Sequence, residues 1–297
     1  MGITRKISFS WNLHYRCNYR CPYCFFYERW EDLYKVNVYY SFKQWIDFWD
    51  RIYENYGEII IEISGAGGEP FIYPSFIKII RHLSNKFSID IVTNLSPNIE
   101  CLTEFVKEVN YKNIRMSLSF HPSFTNLESF FSKTMFLKEK GFDIRVLYVA
   151  YPPQLKQLLY FKNRFEDSGI CFIGIPFRGI YQELDYPKSY TKEEVSILNC
   201  ASHNLSSGDK EWVDNQLDIQ EIKGRLCYAG QFHAHVEMDG KVYRCINYRD
   251  SKKEIGNIFD KNFKLSNEPK PCECDICPCE FHWLVDYNIT GLRLSKN

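Results

Sequence analysis

Apolar runs of strand length alternate with helix-length stretches through the first two thirds of this chain. Ile7 to Leu13 reads as a strand. A helix follows over about Phe42–Asn55, opened by Ser41 and Gln44 as a capping box. Glu58–Ser64 has the composition of a buried strand. The alternation continues with a helix over Ser75–Asn85, a strand at Ser88–Thr93, a helix at Glu100–Val109 and a strand at Ile114–Phe120. It ends with a helix at Leu127–Lys140, a strand at Phe142–Val149, a helix at Gln154–Asp167 and a strand at Cys171–Ile175. Strands that alternate with helices predict a parallel sheet of right-handed βαβ units. After it, Thr191 and Glu194 cap a short helix. The polar stretch from Ser202 to Gly224, with Ser206-Ser-Gly208, reads as a connection. Asp239-Gly240 is a hairpin turn between Ala234–Met238 and Lys241–Arg244.

Charge and composition narrow the function. The 37 basic and 37 acidic residues cancel, which leaves no electrostatic footprint for nucleic acid. Aromatic residues make up 17% and read as packing material. No apolar run reaches membrane-spanning length, and no apolar signal segment opens the chain. The twelve cysteines fall into an early triplet and a late cluster, with few between. Clustered thiols without a secretory signal read as metal or cluster ligands in a reducing cytoplasm, not as disulfides.

The triplet lies in His14-Tyr-Arg-Cys17-Asn-Tyr-Arg-Cys21-Pro-Tyr-Cys24. Cubane iron–sulfur clusters take four thiolates as a rule, yet the next cysteine is Cys101. Three thiolates hold three corners of a [4Fe–4S] cube and leave one iron without a protein thiolate. The C-x3-C-x2-C array, with an aromatic before its last Cys, resembles the signature of the radical S-adenosylmethionine (SAM) superfamily. That resemblance implies a partial (βα)6 TIM-like barrel and a cluster on Cys17, Cys21 and Cys24 whose open iron chelates SAM. It implies reductive cleavage of SAM to a 5′-deoxyadenosyl radical that abstracts a substrate hydrogen. It also implies an electron donor of flavodoxin or ferredoxin type. The alternative for the same residues is a Cys3His zinc set that includes His14.

Gly67-Gly68-Glu69-Pro70 follows the second strand, where a parallel barrel has its active end. It resembles the Gly-Gly-Glu motif that binds the methionyl amino group of SAM, which implies that role for Gly68 and Glu69. The family also places an aromatic against adenine, here Tyr23. Thr93, Asn94, Ser117 and Ser119 lie towards strand ends and suit ribose hydroxyls; Arg145 is a fork that suits the SAM carboxylate. His121 reads more simply as a satisfied structural residue. The backbone of Ile173 to Pro176 is a candidate for adenine. Arg178 points either at substrate or at a surface acid.

The tail carries the second thiol signal. Cys227, twelve residues, Gly240, four residues and Cys245 precede Cys272, Cys274, Cys277 and Cys279. This pattern resembles the start of the SPASM and twitch auxiliary-cluster domains. The short remainder favours twitch, with one auxiliary [4Fe–4S] cluster on Cys227, Cys245, Cys274 and Cys277; Cys272 or Cys279 can replace a member. A zinc ribbon is the alternative. Cys101, Cys171 and Cys200 read as small buried hydrophobes.

The fold class is therefore α/β: a barrel over residues 1–200, a connection over 201–226 and a small Cys-rich α+β domain over 227–297. The expected function is radical SAM chemistry on a small molecule, for which a hydroxyl-bearing sugar or aminocyclitol dehydrogenase is the leading form. The cluster motif starts close to the N-terminus, with no room for a leader-binding domain, which favours a small molecule over a peptide. A maturase of ribosomal peptides is the enzymatic alternative, and a zinc-binding structural or regulatory protein the non-enzymatic one.

Overall fold

The computed structural model describes residues 6–64, 67–218, 220–249, 251–277 and 284–285. The elements run β1 (Ser8–Trp11), α1 (Trp30–Lys35), α2 (Phe42–Tyr56), β2 (Ile60–Ile63), α3 (Phe76–Leu83), β3 (Ser88–Thr93), α4 (Ile99–Glu108), β4 (Ile114–Ser119), α5 (Leu127–Glu139) and β5 (Asp143–Ala150). They continue with α6 (Leu158–Glu166), β6 (Cys171–Pro176), a hairpin of β7 (Gly179–Tyr181) and β8 (Leu184–Tyr186), α7 (Lys192–Ala201) and α8 (Ser207–Leu217). The tail contributes β9 (Leu226–Cys227), β10 (His233–Val236), β11 (Lys241–Tyr243), β12 (Glu254–Asn257) and β13 (Lys270–Pro271).

β1 to β6 pair in sequence order, all parallel, as the alternation of strands and helices predicts. Alternate residues of a strand face opposite sides, and β1 shows why helices cover the outer one. Phe9 and Trp11 are fully buried against α2, with Trp11 edge-on to Trp45 at 4.6 Å and Phe9 edge-on to Trp49 at 5.7 Å. Each such pair adds about 1 kcal/mol beyond the area it buries. Ser41 caps α2 from its side chain to Gln44 N, and Gln44 Oε1 accepts from Ser41 N at 2.9 Å. That reciprocal pair starts the helix where the sequence puts it.

Three features differ from the sequence reading. Three tail strands join the barrel sheet, and only the short β9–β13 pair stands apart from it. β10 lies parallel to β1, and β11 and β12 extend the same sheet outward in antiparallel order. Leu265 N donates to Tyr56 Oη at 2.7 Å, and Tyr40 Oη donates to Asp239 O at 3.0 Å, so α2 and its leading loop hold the tail as well. The stretch read as a connection contains α8, which packs on the concave face of the sheet. Val213 of α8 is buried with Leu147 of β5 and Ile173 of β6. Cys171 and Cys200 are exposed and Cys101 is half-buried, so these three are not core residues. Cys171 opens β6 at its rim and Cys200 sits on the outer face of α7.

Candidate functional site

The thiol triplet follows β1 in a loop folded over the C-terminal ends of the strands. Cys21 is buried, and Cys17 and Cys24 are half-buried. The backbone turns back on two of the sulfurs: Tyr19 N donates to Cys17 Sγ at 3.4 Å, and Phe26 N donates to Cys24 Sγ at 3.5 Å. Burial, helped by Glu69 and Cys24, pushes Cys17 up to about 11; burial, helped by Cys24 and Cys17, pushes Cys21 up to about 12. A coordinated metal removes such protons outright. Among the described residues, no three His, Cys, Asp or Glu side chains converge as they would around a single ion. His14 takes no part in the thiol group. Its Nε2 lies 3.0 Å from Glu69 O and its ring faces Tyr39 and Tyr73.

Gly68 docks the second strand's loop onto the thiol loop. Its φ is +70°, and a Cβ there would stand 2.3 Å from His14 O and 3.0 Å from Arg16 O. Only glycine fits that approach. Glu69 N then donates to Arg16 O at 2.7 Å. The Glu69 side chain turns down into the barrel end and is 1% exposed. It accepts from Thr93 Oγ1 at 2.7 Å, from Asn94 N at 2.7 Å and from Phe71 N at 3.2 Å. Burial still outweighs these bonds and pushes its carboxyl up to about 7. Asn94 completes the link, since its Nδ2 donates to Asn18 Oδ1 at 2.9 Å and to Cys17 Sγ at 3.7 Å. Gly68, Glu69, Thr93 and Asn94 thus form one bonded group against the thiol loop.

Tyr23 joins the same end of the barrel by another route. Its hydroxyl bonds His121 Nδ1 at 3.0 Å, and its ring lies 5.2 Å from Tyr151. Burial pulls His121 down to about 4 and leaves the ring neutral. Tyr151 contacts Tyr181 of the β7–β8 hairpin, which makes an aromatic rim. Phe25 is 72% exposed nearby in sequence, and Ile180 of the hairpin 68%.

Ser117 and Arg145 are not in this group. Arg145 is the third residue of β5, near the opposite end of the barrel, and it is already committed. Its Nη2 donates to Asp90 at 2.8 Å, its Nη1 to Asp209 of α8 at 3.3 Å and its Nε to Ser117 Oγ at 2.7 Å. Ser117 donates in turn to Asp90 at 2.5 Å. Two carboxylates neutralise the guanidinium, so the assignment of Arg145 to a SAM carboxylate gives way to a buried ion cage that fastens α8. Ser119 is half-buried at the end of β4.

The tail brings five thiols together. Cys227 and Cys272 are buried in one small apolar cluster, and Cys245, Cys274 and Cys277 pack against it. A cleft there is lined by Cys227, Cys245, Cys272 and Cys277 together with Ile222, Ala229, Asn247, Leu284 and Val285. Cys272 thus stands on the wall where the sequence expectation has Cys274; Cys279 lies outside the described residues. A hydrogen bond from Cys227 pulls the Cys272 thiol down to about 6, while that bond and burial push Cys227 up. Arg244, which sequence reasoning missed, staples the segments. All its N–H groups are used, on the carbonyls of Ala229, Cys227, Lys270 and Pro271 and on the Tyr248 hydroxyl, at 2.9–3.3 Å. Its place beside Cys245 is the one signal that marks it.

Residues 11–121, which include the triplet and the Gly-Gly-Glu turn, match the Radical SAM superfamily. This stretch is therefore similar to a radical SAM domain. Solved structures show a likeness of fold across that stretch and beyond it. Streptococcus suis SuiB bound to S-adenosylmethionine aligns with 86% of this chain and 64% of its own, at 17% identity and a TM-score of 0.60. SuiB bound to its precursor peptide SuiA gives 86% and 63%, at 16% identity and 0.57. The anSMEcpe protein with bound AdoMet gives 85% and 78%, at 18% identity and 0.60. At such identities the likeness is one of fold, and the chain spans less than two thirds of SuiB. Comparison with curated proteins gives no match. Among the described residues no helix is long and apolar enough to cross a membrane.

Proposed function

We propose that this protein is a radical SAM enzyme with two [4Fe–4S] sites, one on Cys17, Cys21 and Cys24 and one in the tail. The docking of Gly68 on the thiol loop carries this reading. It sets a three-thiol corner beside Glu69, Thr93 and Asn94, and so puts sulfur ligands next to polar groups suited to an amino acid head. The thiol triplet fits a cube with one open iron better than a Cys3His zinc, because His14 is turned to Glu69 O and not to the thiols. When bound, such a cluster supplies the electron that cleaves SAM to methionine and a 5′-deoxyadenosyl radical. The chain's own residues orient and shield. Gly68 and Glu69 N fix the approach of the second strand, Glu69 holds the end of β3, and Tyr23 offers a face for adenine.

In the tail, Cys227, Cys245 and Cys277 serve as three ligands and Cys272 or Cys274 as the fourth. A closed set of four thiolates leaves no iron for SAM and suits electron transfer. The substrate we infer is first a peptide, supported by exposed Ile180 of the hairpin whose Tyr181 meets Tyr151 and by the peptide in the SuiB structure. A hydroxyl-bearing small molecule is the second reading, supported by an electron acceptor in the tail. A flavodoxin or ferredoxin is the fitting donor.

The test is anaerobic reconstitution with iron and sulfide, followed by dithionite and SAM. The expected outcome is about eight irons per chain and formation of 5′-deoxyadenosine. Bound zinc with no cleavage of SAM would overturn the reading.

A further inference from the structure

A line of buried polar side chains climbs the concave face between β1 and β10, and no role assigned above uses it. Ser8 and Ser10 of β1 stand opposite His233 and His235 of β10, and Asn12 and Glu237 lie one residue past the strand ends. None of these six is more than 8% exposed. Ser8 Oγ is 3.0 Å from His233 Nδ1, and His233 Nε2 is 3.5 Å from Ser10 Oγ, the longest link. Ser10 Oγ is 2.8 Å from His235 Nδ1, and His235 Nε2 is 2.9 Å from Glu237 Oε1. Glu237 Oε1 also accepts from Tyr15 Oη at 2.6 Å and from Asn12 Nδ2 at 3.3 Å. Arg249 donates to Tyr15 Oη at 2.8 Å and pairs with Glu237 at 3.5 Å. Glu62 of β2 is in register beside Ser10.

The two ends of this line face different places. Tyr15 lies edge-on to Phe26 at 5.1 Å, in a cluster with Met238 against which Cys17 and Cys24 pack, so the upper end meets the thiol loop. The lower end, Ser8, is two residues from exposed Lys6. Burying such groups costs free energy that an apolar seam would not. Serine and histidine can each donate on one side and accept on the other, so the line has the alternation that proton exchange along it requires. Burial would raise the Glu237 carboxyl, but its bonds to His235 and Tyr15 and the Arg249 charge hold it below the usual carboxylate range. The line therefore ends on an ionised carboxylate, a weak base that would hold a proton only in passing.

We propose that the β1–β10 seam is a proton path between the far end of the barrel and Glu237 at its active end. Its use rests on the second reading above, in which a hydroxyl-bearing or amino substrate is oxidised and the tail takes an electron. A substrate radical that became a C=O or C=N product would release one electron, for which a cluster on the tail thiols would be the acceptor, and one proton. The O–H or N–H bond would break and the proton would bind the Glu237 carboxylate; once the His235 ring turns to the tautomer with a free Nε2, the proton would leave through His235, Ser10, His233 and Ser8.

The experiment follows the ring N–H between His235 and Glu237 by NMR, in the oxidised, reconstituted full chain labelled with 15N-histidine and moved into D2O. With seven histidines, assignment by substitution is direct. Ser10→Ala cuts the path and is expected to slow exchange of this N–H at least about tenfold, the loss that one broken link of about 1.4 kcal/mol would bring. Backbone amides of β1 and β10 should exchange no more slowly than in the parent. Ser10→Thr keeps the hydroxyl and should keep the parent's rate. Exchange in Ser10→Ala as fast as in the parent, or Ser10→Thr as slow as Ser10→Ala, would overturn the path, because protons would then arrive by local opening or not through the hydroxyl. No cleavage of SAM enters the measurement, so it fails or succeeds apart from the reading it rests on.

Discussion

The two thiol groups are built from the same residue type and are otherwise opposites. The N-terminal triplet lies against hydrogen-bonding groups: Asn94 reaches Cys17, and Glu69 and Thr93 stand behind it. The tail thiols are packed against Ile222, Ala229, Leu284 and Val285, and an arginine holds their backbone from outside. Three ligands in polar surroundings suit an exchangeable partner on the fourth corner. Four ligands in an apolar wall suit a cofactor that changes only its charge. Surroundings, more than sulfur count, separate a reacting site from an electron store.

Four substitutions bear on this contrast, the strongest first. Replacing Cys17, Cys21 and Cys24 together with Ala is expected to abolish formation of 5′-deoxyadenosine and to remove half the iron, with the tail cluster kept. Iron analysis and product assay check it. Gly68→Ala places a methyl group against the His14 and Arg16 carbonyls, so the two loops must part. SAM cleavage should fall about 100-fold, the cost of a misplacement of about 1 Å, while tail iron stays. Arg244→Lys does the converse. A lysine cannot replace the guanidinium fork, so tail iron should be lost and uncoupled cleavage of SAM retained. Loss of both clusters in that variant would mean that the two sites are not independent.

The smallest effect is one of pH. The Glu69 carboxyl lies near 7 against 4.5 for the free side chain, because burial opposes its charge. In the chain without cofactors its contribution is full below pH 4.5 and is lost as pH rises through 7. Glu69→Gln should flatten that slope, which in the parent amounts to about 3 kcal/mol. Denaturant melts at pH 5 and pH 8 measure it; equal slopes in parent and variant would refute the burial argument.

Much of this was legible in the sequence, for reasons that residues make plain. β3 and the starts of α2 and α5 follow from local apolar pattern and caps such as Ser41 with Gln44. α8 was not legible, since its burial rests on little more than Val213 and Gln216. The fate of Arg145 was hidden as well. A cation's partner depends on register, and Asp90 comes beside it only because β3, β4 and β5 pair in order. The same holds for the tail strand. Pairing of β10 with β1 joins residues more than 220 positions apart, and the hairpin pattern contains nothing that names its neighbour. Glu69 lies between these cases: its motif marked the place, but not that its side chain turns inward to Thr93.

The central claim is that one site has an open iron and the other has none. Electron paramagnetic resonance of the dithionite-reduced, reconstituted protein, recorded with and without SAM, tests it most directly. The expected result is two cluster signals, of which only one changes when SAM is added, and that one is missing from the Cys17, Cys21 and Cys24 triple variant. Two signals that both change, or neither, would contradict the division of the molecule into a reacting site and an electron store.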